Sequence, residues 1–179
     1  MEMETTDKVT LFGNIAHNLI EEIERYIEFF EVRALKKKSL DQFFDVTESV
    51  ARNFEMFEIL IKENRPFYTL SSPLVLIAEL GMAGYYLTHF GDIALNAIAN
   101  QMTDLYARKN RDYGNSFDKS MDKFGLVVAA IRIGDKVNRL QSLVAKGGAE
   151  VKDESIADTF IDLACYSIMT LMWMEGKAN

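Results

Sequence analysis

Apolar residues recur every three or four positions along most of this chain, proline occurs only at 66 and 73, and β-branched residues form no alternating runs. A strand requires a side-chain period of two and a helix one of 3.6, so the pattern leaves helices packed on helices as the consistent solution. The expected fold class is all-α, a single-domain bundle of about six helices. At 179 residues and 49% hydrophobic content, the chain is long enough for one sizeable core and too short to make two the natural expectation.

The spacing predicts a first helix over about 13 to 35, with Ile15, Leu19, Ile23, Ile27 and Phe30 on its apolar face. The three lysines at 36 to 38 suit its C-terminal end, where cations oppose the helix dipole. Ser39 is placed to cap a second helix running to about Asn64, with a stripe of Phe43, Val46, Val50, Phe54, Phe57 and Ile61, before Pro66 ends it. Ser72 followed by Pro73 predicts the start of a third helix, ending near Phe90, with Gly91 and Asp92 permitting a break. A fourth helix follows to about Asn110, then an ordered loop or short-helix connection, polar and aromatic and expected near a functional site, over 111 to 125, then helices over about 125 to 146 and 155 to 175 separated by Gly147 and Gly148.

Charge and cysteine content narrow the function. The formal net charge of -7 argues against broad nucleic-acid binding, which needs clustered Lys and Arg to replace phosphate counterions. A small phosphorylated ligand needs only a local basic pocket and stays compatible. Cys165 is the one cysteine, so no intrachain disulfide forms and a reducing cytoplasm is the expected setting. The first residues lack the pattern of a secretory signal. The longest apolar stretch, 73 to 87, is interrupted by Glu79 and is shorter than the roughly 20 residues a membrane span needs, so no membrane association is expected. Glu79 itself is expected to reach solvent or to pair structurally.

Chemistry is concentrated near the C-terminus. Arg132, Asp135 and Arg139 lie three and four apart and share a helix face, with Lys136 beside them, while Glu154, Asp158, Asp162 and Tyr166 are spaced to project in a row from the next helix. Asp162 stands in a run that is apolar on nearly every side, and a buried carboxylate is costly without a cation or hydrogen-bond partners. Packing the two stripes together would give an acidic pocket rimmed by arginine. Magnesium, which takes one or two carboxylates plus phosphate oxygens, suits Asp135, Asp158 and Asp162 as ligands, with Glu154 a further candidate one turn away and Asp135 and Asp162 carrying the catalysis. Arg132, Lys136 and Arg139 would then offset phosphate charge.

Local explanations compete with each assignment. Asp158 completes a capping-box pattern with Ser155, and Glu154 favours a helix start through the dipole. Asp135 could pair with Arg132 or Arg139 along its own helix, and Asp162 with Arg139 across helices. His17 and His89 are isolated, and no GxSxG, phosphate-loop or CxxC pattern occurs.

Three blocks in order, KNRDYGNSF at 109 to 117, RIGDKVNRL at 132 to 140 and DESIADTFIDLACY at 153 to 166, resemble the nucleotide modification associated domain family of phages and bacteria. The resemblance covers roughly residues 95 to 175, so that 93 to 179 is expected to form the recognisable core and 1 to 92 an N-terminal helical part of unrecognised type. That family is distantly similar to the all-α nucleoside triphosphate pyrophosphatases of the MazG and dimeric dUTPase group, in which helix-borne carboxylates hold magnesium. The resemblance implies Asp135, Asp158 and Asp162 as metal ligands, and Lys109, Asp112, Tyr113, Arg132, Lys136 and Arg139 facing a nucleotide, with Tyr113 stacking on its base. Tyr113 and Phe117 are also spaced to flank a planar ring. The pyrophosphatases carry paired acidic residues three apart on two helices, whereas this chain has a single Asp135 and an Asp158/Asp162 pair four apart, so nucleotide binding is the firmer implication.

The expectation is therefore a cytoplasmic, magnesium-dependent, nucleotide-binding bundle acting on a phosphate chain, homodimeric by analogy. A noncatalytic nucleotide-binding factor and a purely structural or partner-binding bundle are the alternatives.

Overall fold

The computed structural model of the chain describes residues 4–25, 43–89, 93–146 and 155–178. Among these the fold is all-α, with helices α1 (Thr5–Asn18, whose path continues helically over 20–25), α2 (Phe44–Lys62), α3 (Phe67–Thr88), α4 (Leu95–Tyr113), α5 (Ser116–Phe124), α6 (Val127–Lys146) and α7 (Ile156–Ala178). Of the two alternatives for the connection at 111 to 125, the short helix is the one formed, over Ser116–Phe124. The expected features at Ile27, Phe30, 36 to 39, Phe90 to Asp92, Gly147 and Gly148 lie outside the described residues.

Helix α1 starts earlier than its apolar stripe suggested, because the polar run from Thr5 to Lys8 is already helical. A larger departure concerns Pro73, which lies inside α3 rather than at its start. Pro66 takes the starting role instead: its carbonyl accepts from the Thr69 amide (2.9 Å) and from Thr69 Oγ1 (2.7 Å). Packing on the core then carries the helix through Pro73, which is itself buried, although proline supplies no amide hydrogen for the helical ladder.

Helices α3 and α7 form the central pair. Both are apolar around most of their circumference, and such helices are stable in water only when covered on several sides. One side of α3 (Leu70, Leu74, Ile77, Leu80) and of α7 (Phe160, Leu163) packs with α2, α5 and α6. The other side (Ala78, Met82, Ala83; Ile161, Ala164, Ile168) packs with α1 and α4. Each of the pair, Phe67–Thr88 and Ile156–Lys177, is long and apolar enough to cross a membrane, a property shared by core helices of soluble proteins. Glu79 on α3 is buried and has an interaction partner, which removes the solvent-reaching alternative.

The central pair approaches closely because two small residues face α7. A Cβ on Gly84 would stand 2.4 Å from the Phe160 ring, and one on Gly81 2.8 Å from the Phe160 carbonyl oxygen. Neither position has room for a methyl group without separating the helices.

Candidate functional site

One cavity of about 420 Å³ opens where α4, α5, α6 and α7 converge. Its lining follows helical spacing on each wall: Leu105, Tyr106, Lys109, Asn110 and Tyr113 from α4, Arg132 and Lys136 from α6, and Asp162, Cys165, Tyr166 and Met169 from α7. Ser116 and Phe117 close it from α5. The turn that brings α5 over the cavity uses two successive left-handed residues, Gly114 (φ 58°) and Asn115 (φ 57°). Glycine and asparagine are the residue types that tolerate this conformation with least strain.

α5 is held at both ends. Lys8 Nζ of α1 donates to Asp118 Oδ2 at 2.7 Å. At the other end Asp122 Oδ1 accepts from Trp173 Nε1 (2.8 Å) and pairs with Lys177 Nζ (2.9 Å). Phe117 is thereby seated against Tyr166, ring centroids 5.8 Å apart. The Tyr106 ring stacks on Phe12 at 4.5 Å, and burial, with the charge of Asp118 second, pushes its phenol up to about 12.

The electrostatic centre is Asp162. Lys136 Nζ lies 2.8 Å from its Oδ2 and Lys109 Nζ lies 3.3 Å from its Oδ1. The carboxylate is only 21% exposed, so this pair of lysines answers the cost of burying it. Partial burial alone would lower the Lys109 ammonium, but the charge and hydrogen bond of Asp162, with smaller contributions from Cys165 and Tyr166, hold it above the ordinary lysine value. Burial first and Asp162 second push the Cys165 thiol up to about 12, against a smaller opposing effect of Lys109. Cys165 therefore stays protonated near neutrality and is a wall residue rather than a nucleophile.

Of the residues singled out in the sequence, the cavity brings together Lys109, Tyr113, Phe117, Arg132, Lys136 and Asp162. It does not bring Asp135 or Asp158 to them. Asp135 is exposed on α6 and absent from the lining. Asp158 is engaged locally: its Oδ2 accepts from the Ser155 amide (3.0 Å) and Ser155 Oγ (2.7 Å), and its own amide donates to Ser155 Oγ (3.1 Å), a reciprocal cap at the start of α7. It borders a separate cavity with Asp104 and Arg108. The expected meeting of Asp135, Asp158 and Asp162 at one point is thus replaced by a lone Asp162 between two lysines. Among the described residues no group of three or more His, Cys, Asp or Glu side chains is arranged to hold a metal ion. Asp112 is exposed outside the cavity, Arg139 has a partner and is not part of the lining, and Glu154 lies outside the described residues.

Tyr106 and Asn110 were not identified from the sequence, though both share the helical face of Lys109 and Tyr113 at spacings of three and four. Their signal was this periodicity, masked by the apolar role of Tyr106 in the α1–α4 packing.

The stretch that supplies most of this lining, residues 109–174, matches the family described as nucleotide modification associated domain 1. No curated protein matches the chain, and no solved structure does.

Proposed function

We propose that the cavity among α4, α5, α6 and α7 binds a nucleotide, with its phosphate at Lys109, Arg132 and Lys136 and its base beside Tyr113. The observation that carries this reading is charge contrast: the chain bears a formal net charge of -7, yet the cavity's ionisable lining sets three permanent cations against one carboxylate. Such a local excess attracts an anion that the rest of the surface repels. Arg132 makes no ion pair among the described residues, so it is available to a ligand, and its planar fork matches phosphate geometry. Tyr113 is 68% exposed at the cavity edge, where a ring gains by stacking on a base. The volume falls within the range of about 300–1,000 Å³ typical of small-ligand sites. The domain description matched over 109–174 points to the same ligand class.

The lining does not fit a magnesium ion held by protein carboxylates. Asp162 is its one carboxylate, and each oxygen already faces an ammonium group. We therefore derive binding and orientation of a phosphate chain from these residues and no metal-assisted cleavage.

Calorimetric titration with the four 2′-deoxynucleosides and their 5′-monophosphates and triphosphates, with and without magnesium, tests the reading when products are assayed in the same samples. Binding that requires the phosphate and proceeds without magnesium is expected. Equal binding of the bare nucleosides, or no binding of any nucleotide, overturns it; magnesium-dependent product formation would replace it with a phosphohydrolase of the pyrophosphatase type.

A further inference from the structure

The two oxygens of Asp162 are shared between lysines from different helices, Lys109 on α4 at 3.3 Å and Lys136 on α6 at 2.8 Å, while Arg132 on the same wall is left without an ion pair among the described residues. Two ammonium groups brought to one spot repel each other unless an anion lies between them. The Asp162 carboxylate stands between the two ammonium groups where a ligand's phosphate would also be attracted. It is supplied by the most buried helix pair of the fold, so its position is fixed, whereas the long lysine side chains can turn away from it.

We propose that Asp162 is a built-in competitor for the phosphate seat: it holds Lys109 and Lys136 in place, and a nucleotide's phosphate binds by taking these two lysines from it. This deepens the nucleotide reading and rests on it. The displacement cost applies to every anion entering the seat, so it acts as a threshold. A single weakly held anion such as chloride or free phosphate gains too little to meet it. A nucleotide adds the Arg132 contact and base stacking on Tyr113, and so passes.

The consequence has a sign opposite to that of a metal ligand. Asp162→Asn keeps the size and removes the charge, so both pyrophosphate and a deoxynucleoside monophosphate should bind more tightly, by on the order of tenfold for two partly buried ion pairs released. The corresponding nucleoside, which leaves the lysines alone, should show no gain. Titration of wild type and Asp162→Asn with pyrophosphate, thymidine 5′-monophosphate and thymidine, without divalent metal, decides it. Tighter binding of both phosphate-bearing probes by the variant supports the proposal. Unchanged or weaker binding of both, with wild-type nucleotide binding intact, overturns it and leaves the nucleotide reading standing. Absence of binding to both proteins removes the nucleotide reading and this inference together. A measurement on the wild type alone guards against a variant that fails to fold: the Asp162 carboxyl ¹³C resonance should shift on saturation with thymidine 5′-monophosphate, and a resonance that stays still while the nucleotide binds also overturns the proposal.

Discussion

Helix α7 serves two regions that could hardly differ more. Along its seam with α3 it presents Phe160, Ala164 and Ile168, all without solvent exposure, the first two packed against Gly81 and Gly84. On roughly the opposite side of the same helix it presents Asp162 and Tyr166 to a polar cavity. The seam is fixed by shape, since its residues have no polar partners to exchange, and the cavity is fixed by charge, since its ion pairs can be exchanged for others. Residues that hold the fold and residues that define the site are thus separated by angle on one helix rather than by distance along the chain.

The sharpest way to break that contrast is Phe160→Ala, which empties the space against Gly84 and Phe43 and should cost about 3–5 kcal/mol, read by denaturant unfolding. Whatever fraction stays folded should bind nucleotide with unchanged affinity. Lys136→Met tests the other region: binding should weaken by the equivalent of about 1.5–3 kcal/mol in a calorimetric titration, the usual worth of a hydrogen bond to a charged group, while stability falls by less than in Phe160→Ala because Lys109 still faces Asp162. A smaller effect separates the two aspartates of α7. Asp158→Ala removes a helix cap and should cost about 1 kcal/mol of stability with no change in nucleotide affinity, the reverse of the pattern expected for Asp162→Asn. A loss of binding in Asp158→Ala would return that residue to the site.

A last effect concerns alkaline pH. The folded Cys165 thiol is raised from 9.0 to about 12 by burial and by Asp162, so the unfolded chain releases this proton first. Its contribution to stability is complete below pH 9.0 and is lost as pH rises toward about 12. Tyr106, raised from 10.0 to about 12, adds to the same decline. Urea unfolding over this alkaline range should show falling stability, and Cys165→Ala should flatten part of the slope.

Much of this arrangement was legible in the sequence because helical period governs both regions. The all-α class, the apolar stripes of α2 and the candidates Lys109, Tyr113, Phe117, Arg132, Lys136 and Asp162 all follow from spacing or from the order of three blocks, and the structure places those six around one cavity. The pairing of Asp162 with two lysines was not legible. Lys109 lies 53 residues away on a helix whose rotation is set by α1 packing against it, information that no local pattern contains. Asp158 and Asp135 illustrate the converse. A carboxylate three residues from a serine at a helix start finds two local donors at once, and that local bond prevailed over a longer-range role. Asp135 has the right spacing for the arginine face but sits at an angle on α6 that turns it to solvent.

Trp173 is the chain's one tryptophan, and its indole N–H donates to Asp122 on α5, with Lys177 5.5 Å above the ring and Phe67 5.9 Å away. The same short helix carries Phe117 at the cavity wall. Any shift of α5 on ligand entry would therefore change the polarity around a single fluorophore, so the protein carries its own optical reporter, and occupancy could be followed by ultraviolet emission with no label attached.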